Sequence, residues 1–397
     1  MKDNKNKAHS RIINNVALKS FFADRKRVEN LIFVVILTAI AIMVRTALFP
    51  KLSGDFNSFL IKWYNQIKAN GGFAAVGMDI GDYTPAYYYI LAFLTYIPIK
   101  AVNGIKLVSC IADLVTAIFG YKIVKEATGN KNKGLMAYGV LLFMPSVIIN
   151  SGAWAQCDAI FSTFIVMSIY FLLKDRDWAC AICFSISFAF KIQAVFFAPV
   201  LLIMLLRKKI RFRTVLALPI VYIISIIPAW IAGGNFFKLL TVYTRQSGQY
   251  KNLDMYLPNI WSPLVGNKDE LLGKAGIYLA GGLVLIAIYF VYRANVELNK
   301  KNILTISGLF TLLVPYVLPH MHERYYFLPA VVALLFVMTN AKRVWMFLVM
   351  ELASVTCEIH FLYGANGLDI NLQMILVTLA LVWYFKEIYD NRVIEEE

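Results

Sequence analysis

Leu31–Val44 reads LIFVVILTAIAIMV, fourteen residues without a charge, Gly or Pro. A soluble core helix shows polar residues at every turn on its outer face. This run shows one Thr and no charge, and Val215–Ala232, VLALPIVYIISIIPAWIA, repeats the pattern with one Ser at a length near that of a bilayer. Working outward, hydrophobic residues make up 59% of the 397-residue chain and charged residues 16%. Soluble domains average about 25% charged residues. The chain reads as an all-α polytopic membrane protein and excludes a single soluble core.

The net charge of +15 has a local pattern. Basic residues cluster in short breaks between apolar runs: Arg25–Arg27, Lys131 with Lys133, Arg207–Lys209 with Arg211 and Arg213, Lys300–Lys301, and Lys342–Arg343. That is the positive-inside pattern of cytoplasmic loops, so the charge does not point to nucleic acid. Residues 1–29 form a basic cytoplasmic leader rather than a cleavable signal, and 388–397, ending in Glu395–Glu397, form a cytoplasmic tail. Five cysteines lie mostly inside apolar runs, where they pack and form no structural disulfide.

Spans are expected near 30–49, 105–123, 134–149, 158–173, 178–190, 192–206, 214–232, 275–292, 303–318, 326–340, 344–362 and 371–387. That is about twelve crossings, with a range of 11–13, in a single membrane domain with both termini cytoplasmic. Two large outer segments result, 50–104 and 233–274. Residues 86–99, rich in Tyr, read as a helix in the outer leaflet, and 56–68 as one lying on the membrane surface.

Polar groups collect at the outer ends of these spans. Asp55 follows the first span directly; it is either a general base at the surface or the N-cap of the helix after it. Asp79 and Asp82 flank a Gly in a turn closed by Tyr83-Thr84-Pro85. With Asp55 they are candidates to hold a divalent metal or to divide base and electrostatic roles, while Asp also serves turns structurally. Trp154-Ala155-Gln156-Cys157-Asp158 opens a span, where an acid also caps or meets the helix dipole. Lys191, followed by Gln193, joins two short apolar runs and either faces a cavity or snorkels to the interface. Tyr243–Asn252 carries Arg245 among aromatic and amide residues, a pattern suited to phosphate or sugar.

The densest feature is Pro319–Tyr326, PHMHERYY, with His322, Glu323 and Arg324 between two apolar spans. Charge at such a place marks a functional candidate. His320 and His322 sit two apart and share no helix face, so a joint metal site needs an irregular turn.

The order GDF (54–56), GDYTPAYYY (81–89), WAQCD (154–158), FKIQAVFFAP (190–199) and HMHERYYFLPA (320–330) resembles bacterial membrane proteins related to the mannosyltransferases of GPI-anchor assembly, in the GT-C class of glycosyltransferases. The resemblance covers about residues 30–340. Relatives often read Tyr-Pro-Pro where this chain has Tyr83-Thr84-Pro85, and Gly-Gln-x-Asp where it has Ala155-Gln156-Cys157-Asp158.

The resemblance implies a hexose, mannose-like or glucose-like, moved from a polyprenyl-phosphate donor to a lipid, glycan or polymer acceptor on the outer face of a bacterial plasma membrane. It implies Asp55 as catalytic base, with His322, Glu323 and Arg324 at the same cavity. The resulting expectation is inverting transfer. Asp55, Asp82, His322 and Glu323 are catalytic; Arg324, Arg245 and Lys191 bind the donor phosphate; Asp79, Tyr83, Gln156, Asp158 and Gln193 line the cavity. No cofactor is certain, and metal dependence stays open. The alternatives are a transporter or flippase of a lipid-linked glycan precursor, and a non-catalytic partner in a wall-polymer complex.

Overall fold

The computed structural model describes residues 2–246, 250–365 and 367–393, with side chains from Arg25 onward. Ser247–Gln249 of the second outer segment and the Glu395–Glu397 tail lie outside the described residues.

The described residues are mostly helical. Helix α1 (Lys2–Ala47) carries the basic leader and the first apolar run without a break. The first outer segment folds into a π-helical turn (Phe56–Leu60) continued by α2 (Ile61–Ala69), a 3-10 turn (Gly72–Ala75) and α3 (Pro85–Thr95). Helix α4 (Ala101–Thr128) and α5 (Lys131–Phe143) follow. Pro145 has no N–H to continue α5. The chain therefore restarts as α6 (Pro145–Ile148) and a π-helical turn (Ile149–Trp154), bent 49° from α5.

Next come α7 (Asp158–Leu173), α8 (Asp177–Phe190), a 3-10 turn leading into α9 (Ala198–Leu206), and another leading into α10 (Ala217–Ile231). Short helices α11 (Phe236–Leu240) and α12 (Val242–Gln246) lie in the second outer segment. The chain ends with α13 (Glu270–Ala294), α14 (Lys300–Val317), α15 (Phe327–Thr339), α16 (Val344–Tyr363) and α17 (Ile370–Asp390).

Among the described residues, six of these helical stretches are long and apolar enough to cross a membrane, or seven with the bent α5–Trp154 pair counted as one span. Four shorter apolar helices span 158–173, 177–190, 192–206 and 327–339. At 1.5 Å per residue they reach roughly 20–24 Å, short of a ~30 Å hydrocarbon core. Helix α15 shows why a short length suffices: its residues from Phe327 to Val337 are all buried by neighbours. About twelve crossings were expected, and the apolar runs fall where expected, but length and apolarity alone count six or seven. Helix α3, at 11 residues, is too short to cross, and its Tyr87 and Tyr88 are buried rather than turned to lipid.

Ion pairs tie one end of the bundle. Glu126 binds Lys174 (3.2 Å) and Lys300 (2.5 Å), Asp177 binds Arg211, Asp175 binds Lys209, and Glu387 binds Arg343 (2.5 Å). Three of the basic clusters contribute: Lys209 and Arg211, Lys300, and Arg343. The two large outer segments meet at the opposite end. Gly77 lets them touch: a Cβ there would lie 2.6 Å from the Gly234 nitrogen, and equally close to the Ala229 and Ala232 oxygens at the end of α10. A two-residue parallel ladder, β1 (Asp254–Met255) with β2 (Met321–His322), joins the second segment to PHMHERYY.

Candidate active site

The site begins at the exit of α1. Ser53 Oγ accepts from the Phe56 N–H (3.1 Å) and donates to the Trp154 carbonyl (2.9 Å). Ser53 therefore caps the following turn, and Asp55 makes no side-chain capping bond. The Asp55 carboxylate turns inward instead. Its Oδ2 accepts from Trp154 Nε1 (3.1 Å) and Gln156 Nε2 (2.5 Å), with Arg324 Nη1 at 3.6 Å. No hydrogen bond holds Oδ1 among the described residues, and the side chain is 21% exposed. One oxygen is oriented and the other remains open to accept a proton.

Trp154 and Gln156 reach Asp55 because the π-helical turn ends sharply. Ala155 takes a left-handed conformation (φ 67°), and the Gln156 N–H returns to the Asn150 carbonyl (3.1 Å). An L-residue rarely holds that conformation unless its surroundings impose it. Trp154 is fully buried and stacks on Phe361 of α16, with centroids 4.6 Å apart.

Arg324 is the hub. Its Nη1 contacts Glu323 Oε1 (3.1 Å) and Asp55, and its Nε faces Asp158 Oδ2 at 3.6 Å. That Nε is buried and has no hydrogen-bond partner. Burial works against the guanidinium charge, but Glu323, Asp158 and Asp55 outweigh it and hold Arg324 charged. Asp158 also binds Lys191 and accepts from Asn150 Nδ2 (3.2 Å).

His322 Nδ1 lies 3.6 Å from Glu323 Oε2. Burial, then the Arg324 charge, lower the imidazole's affinity for a proton despite Glu323, so His322 is neutral at neutral pH. Glu323 stays ionised because His322 and Arg324 overcome its burial.

The other expected residues divide. Gln156 and Arg324 contact Asp55 directly; Asp158 and Glu323 join it through Arg324, and Lys191 through Asp158. Gln193 Nε2 donates to Tyr325 Oη (2.7 Å), whose ring borders both Arg324 and Lys191. Tyr83 Oη lies 3.8 Å from Cys157 Sγ, beside Asp158. Asp82 stands one step back. Its backbone oxygen is held by Gln246, and its charge acts on the Tyr250 hydroxyl together with those of Arg324, Asp55 and Glu323.

Asp79 and Arg245 form a separate group: Asp79 is 69% exposed and lies 3.9 Å from Arg245 and from Lys238. No ion pair among the described residues links Arg245 to Asp55, Asp158 or Glu323, the acids around Arg324. His320 is spent on structure. It adopts φ 63°, and its ring nitrogen Nδ1 meets the Asn252 carbonyl (2.7 Å).

Among the described residues no three His, Cys, Asp or Glu side chains converge as metal ligands. Cations separate the acids here: Arg324 stands between Asp55, Asp158 and Glu323. Sequence reasoning passed over Asn150, Tyr250 and Tyr325. For Asn150 the signal was a lone amide ending the apolar run VIIN.

The geometry brings GDF, WAQCD, FKIQ and HER to one place. Residues 82–232 match the family model of dolichyl-phosphate-mannose-protein mannosyltransferase. That is a GT-C type family of membrane glycosyltransferases, the class expected from the sequence. The match takes in 151 of the 397 residues. It covers Asp82, Gln156, Asp158 and Lys191, and leaves Asp55 and His322–Arg324 outside. No curated protein matches the chain.

Proposed function

We propose that the chain is an inverting hexosyltransferase that uses Asp55 as its base at the outer face of the membrane. The observation that carries this is the Asp55 carboxylate, oriented through one oxygen by Trp154 and Gln156 and set 3.6 Å from Arg324. An acceptor hydroxyl gives its proton to Asp55 and its oxygen forms a bond to the anomeric carbon. The anomeric C–O bond to phosphate breaks, and its electron pair leaves with polyprenyl phosphate.

The charges move in step. The donor is a monoanionic phosphodiester, and the departing monoester carries a second negative charge. Asp55 loses its charge on taking the proton. Arg324 is thereby released from one carboxylate as the phosphate becomes more negative, and its unpartnered Nε supplies a donor. Lys191, held by Asp158, is the second cation nearby. Neutral His322 orients Glu323 and, through it, Arg324.

The lipid tail has a matching surface. An apolar groove of about 510 Å³ lies between α3, α4, α8 and α10, with Tyr89, Phe93, Val108, Phe190 and Ile224 in its walls. Phe190 directly precedes Lys191, so a tail in this groove brings its phosphate toward the two cations. Basic residues at the opposite end favour cytoplasmic termini and an outward site. A polar cluster confined to one end fits transfer at the surface better than passage of a glycan between two halves.

The test is Asp55→Asn in membranes supplied with a polyprenyl-phosphate hexose. The amide keeps the shape and loses the base, so turnover should fall at least a hundredfold with the protein still folded. Turnover close to wild type would remove Asp55 from this role.

A further inference from the structure

Helix α4 crosses the bundle as an apolar helix with four buried polar side chains on one face: Lys106, Ser109, Asp113 and Thr116. Their 3-4-3 spacing keeps them within one stripe of the helix. In a membrane helix such groups pair somewhere simply to avoid being left bare. Here the partners are not scattered. Each is on a segment that carries a site residue.

Lys106 Nζ donates to the carbonyls of Leu48 (3.1 Å), Phe49 (3.0 Å) and Lys51 (2.5 Å), using all three protons on the turn that leads into Asp55. One turn on, Ser109 Oγ donates to the Gln156 carbonyl (2.7 Å), and the Gln156 amide holds Asp55. Asp113 Oδ2 accepts from Arg45 Nε (2.9 Å) and Ser151 Oγ (2.6 Å), joining the end of α1 to the π-helical turn that carries Trp154. Thr116 meets Thr163 (2.7 Å) on α7, the helix that begins with Asp158.

We propose that Lys106 and Ser109 are positioning residues that set Asp55 from two sides: Lys106 fixes the backbone that leads into it, and Ser109 fixes the residue that orients its carboxylate. The proposal rests on the reading of Asp55 as the base. Neither side chain touches a reacting atom. Both work by removing freedom from irregular backbone, where a small displacement changes a near-attack geometry strongly.

Hydrogen–deuterium exchange and kinetics on the full chain test this with Lys106→Met, Ser109→Ala and the control Ser185→Ala. Ser185 is buried but bonds only to Ala181 in its own helix. Lys106→Met should speed exchange in 48–57 at least threefold and leave 150–158 unchanged; Ser109→Ala should do the reverse. Each should lower kcat about tenfold with the donor KM within twofold, while Ser185→Ala changes nothing. In a Gln156→Ala background, Ser109→Ala should add less than a twofold loss, because it acts through Gln156. Unchanged exchange in both segments, kcat within twofold of wild type, or an equal loss in the Gln156→Ala background would overturn the proposal. If the wild-type chain transfers no sugar from polyprenyl phosphate, the transferase reading fails, and the exchange pattern decides the positioning on its own.

Discussion

Replacing Arg324 with Gln removes one charge from the middle of three acids. At about 4 Å and an effective dielectric near 20, a unit charge pair is worth roughly 4 kcal/mol. That is the scale of what Arg324 can contribute to the phosphate charge that develops on departure. Gln keeps one donor and Lys191 remains, so about 3–4 kcal/mol should be lost, or 10²–10³ in kcat. The cost in stability should be smaller than the usual ~3–5 kcal/mol for breaking a buried pair. Each acid keeps another partner: Asp55 has Gln156 and Trp154, Asp158 has Lys191 and Asn150, and Glu323 faces His322. A loss of about 1–3 kcal/mol should leave a folded protein. The assay is initial-rate transfer from a radiolabelled polyprenyl-phosphate hexose by purified protein in detergent, with the thermal transition of each variant measured beside it. A folded Arg324→Gln protein with kcat within threefold of wild type would refute the leaving-group role.

Three further outcomes follow from the geometry. Burial pushes the Asp254 carboxyl up to about 7, although the backbone N–H groups of Leu257 and Tyr256 pull it down. An acid whose folded value is raised stabilises the fold only while protonated in both states, so this contribution is lost as pH rises from about 4 to about 7, by up to roughly 4 kcal/mol. Asp254→Asn should therefore gain thermal stability relative to wild type as pH rises from 5 to 8; a difference that moves the opposite way would show that folding lowers the Asp254 carboxyl below its ordinary range. Asp79→Asn should leave transfer within twofold of wild type, because this exposed carboxylate meets only Lys238 and Arg245 at 3.9 Å; a tenfold loss would place it in the reaction. Phe93→Asp puts a charge on the wall of the apolar groove and should raise the KM for a long-chain donor at least tenfold while sparing one with a short, water-soluble chain; equal effects on both donors would exclude the groove as the tail site.

The helices were legible because hydropathy and helix ends are local properties. The run expected at 158–173 is α7 residue for residue, and Pro145 explains where the preceding span bends. The role of Asp55 was ambiguous for an equally local reason. Asp suits an N-cap by type, but Ser53 has the geometry to cap that turn and leaves the Asp55 carboxylate elsewhere. Lys191 left a cavity and the interface open, and only the arrival of Asp158 on another helix decides between them. Arg245 carried the same chemistry as Arg324 in the sequence; in the fold it lies apart, donating to the Lys238 carbonyl, with Asp79 at 3.9 Å.

Convergence is the property that a linear pattern conceals. Asp55, Gln156, Lys191 and Arg324 stand far apart in the chain, and nothing in their spacing reports a shared space. The stripe on α4 is the intermediate case. IKLVSCIADLVT (105–116) averages to an ordinary span, because its aliphatic residues outweigh one Lys, one Ser, one Asp and one Thr. Helical projection puts those four residues on one face, and their cost in an apolar setting means that each must have a partner. The sequence therefore contains the demand for partners but not their identity. The fold meets that demand with the backbone leading into Asp55, the Gln156 that orients it, the turn that carries Trp154 and the helix that begins at Asp158. Packing of α4 against α1, α7 and the turn that carries Trp154 already brings such partners within reach; what the proposal adds is that the contacts of Lys106 and Ser109 end on the backbone leading into Asp55 and on Gln156.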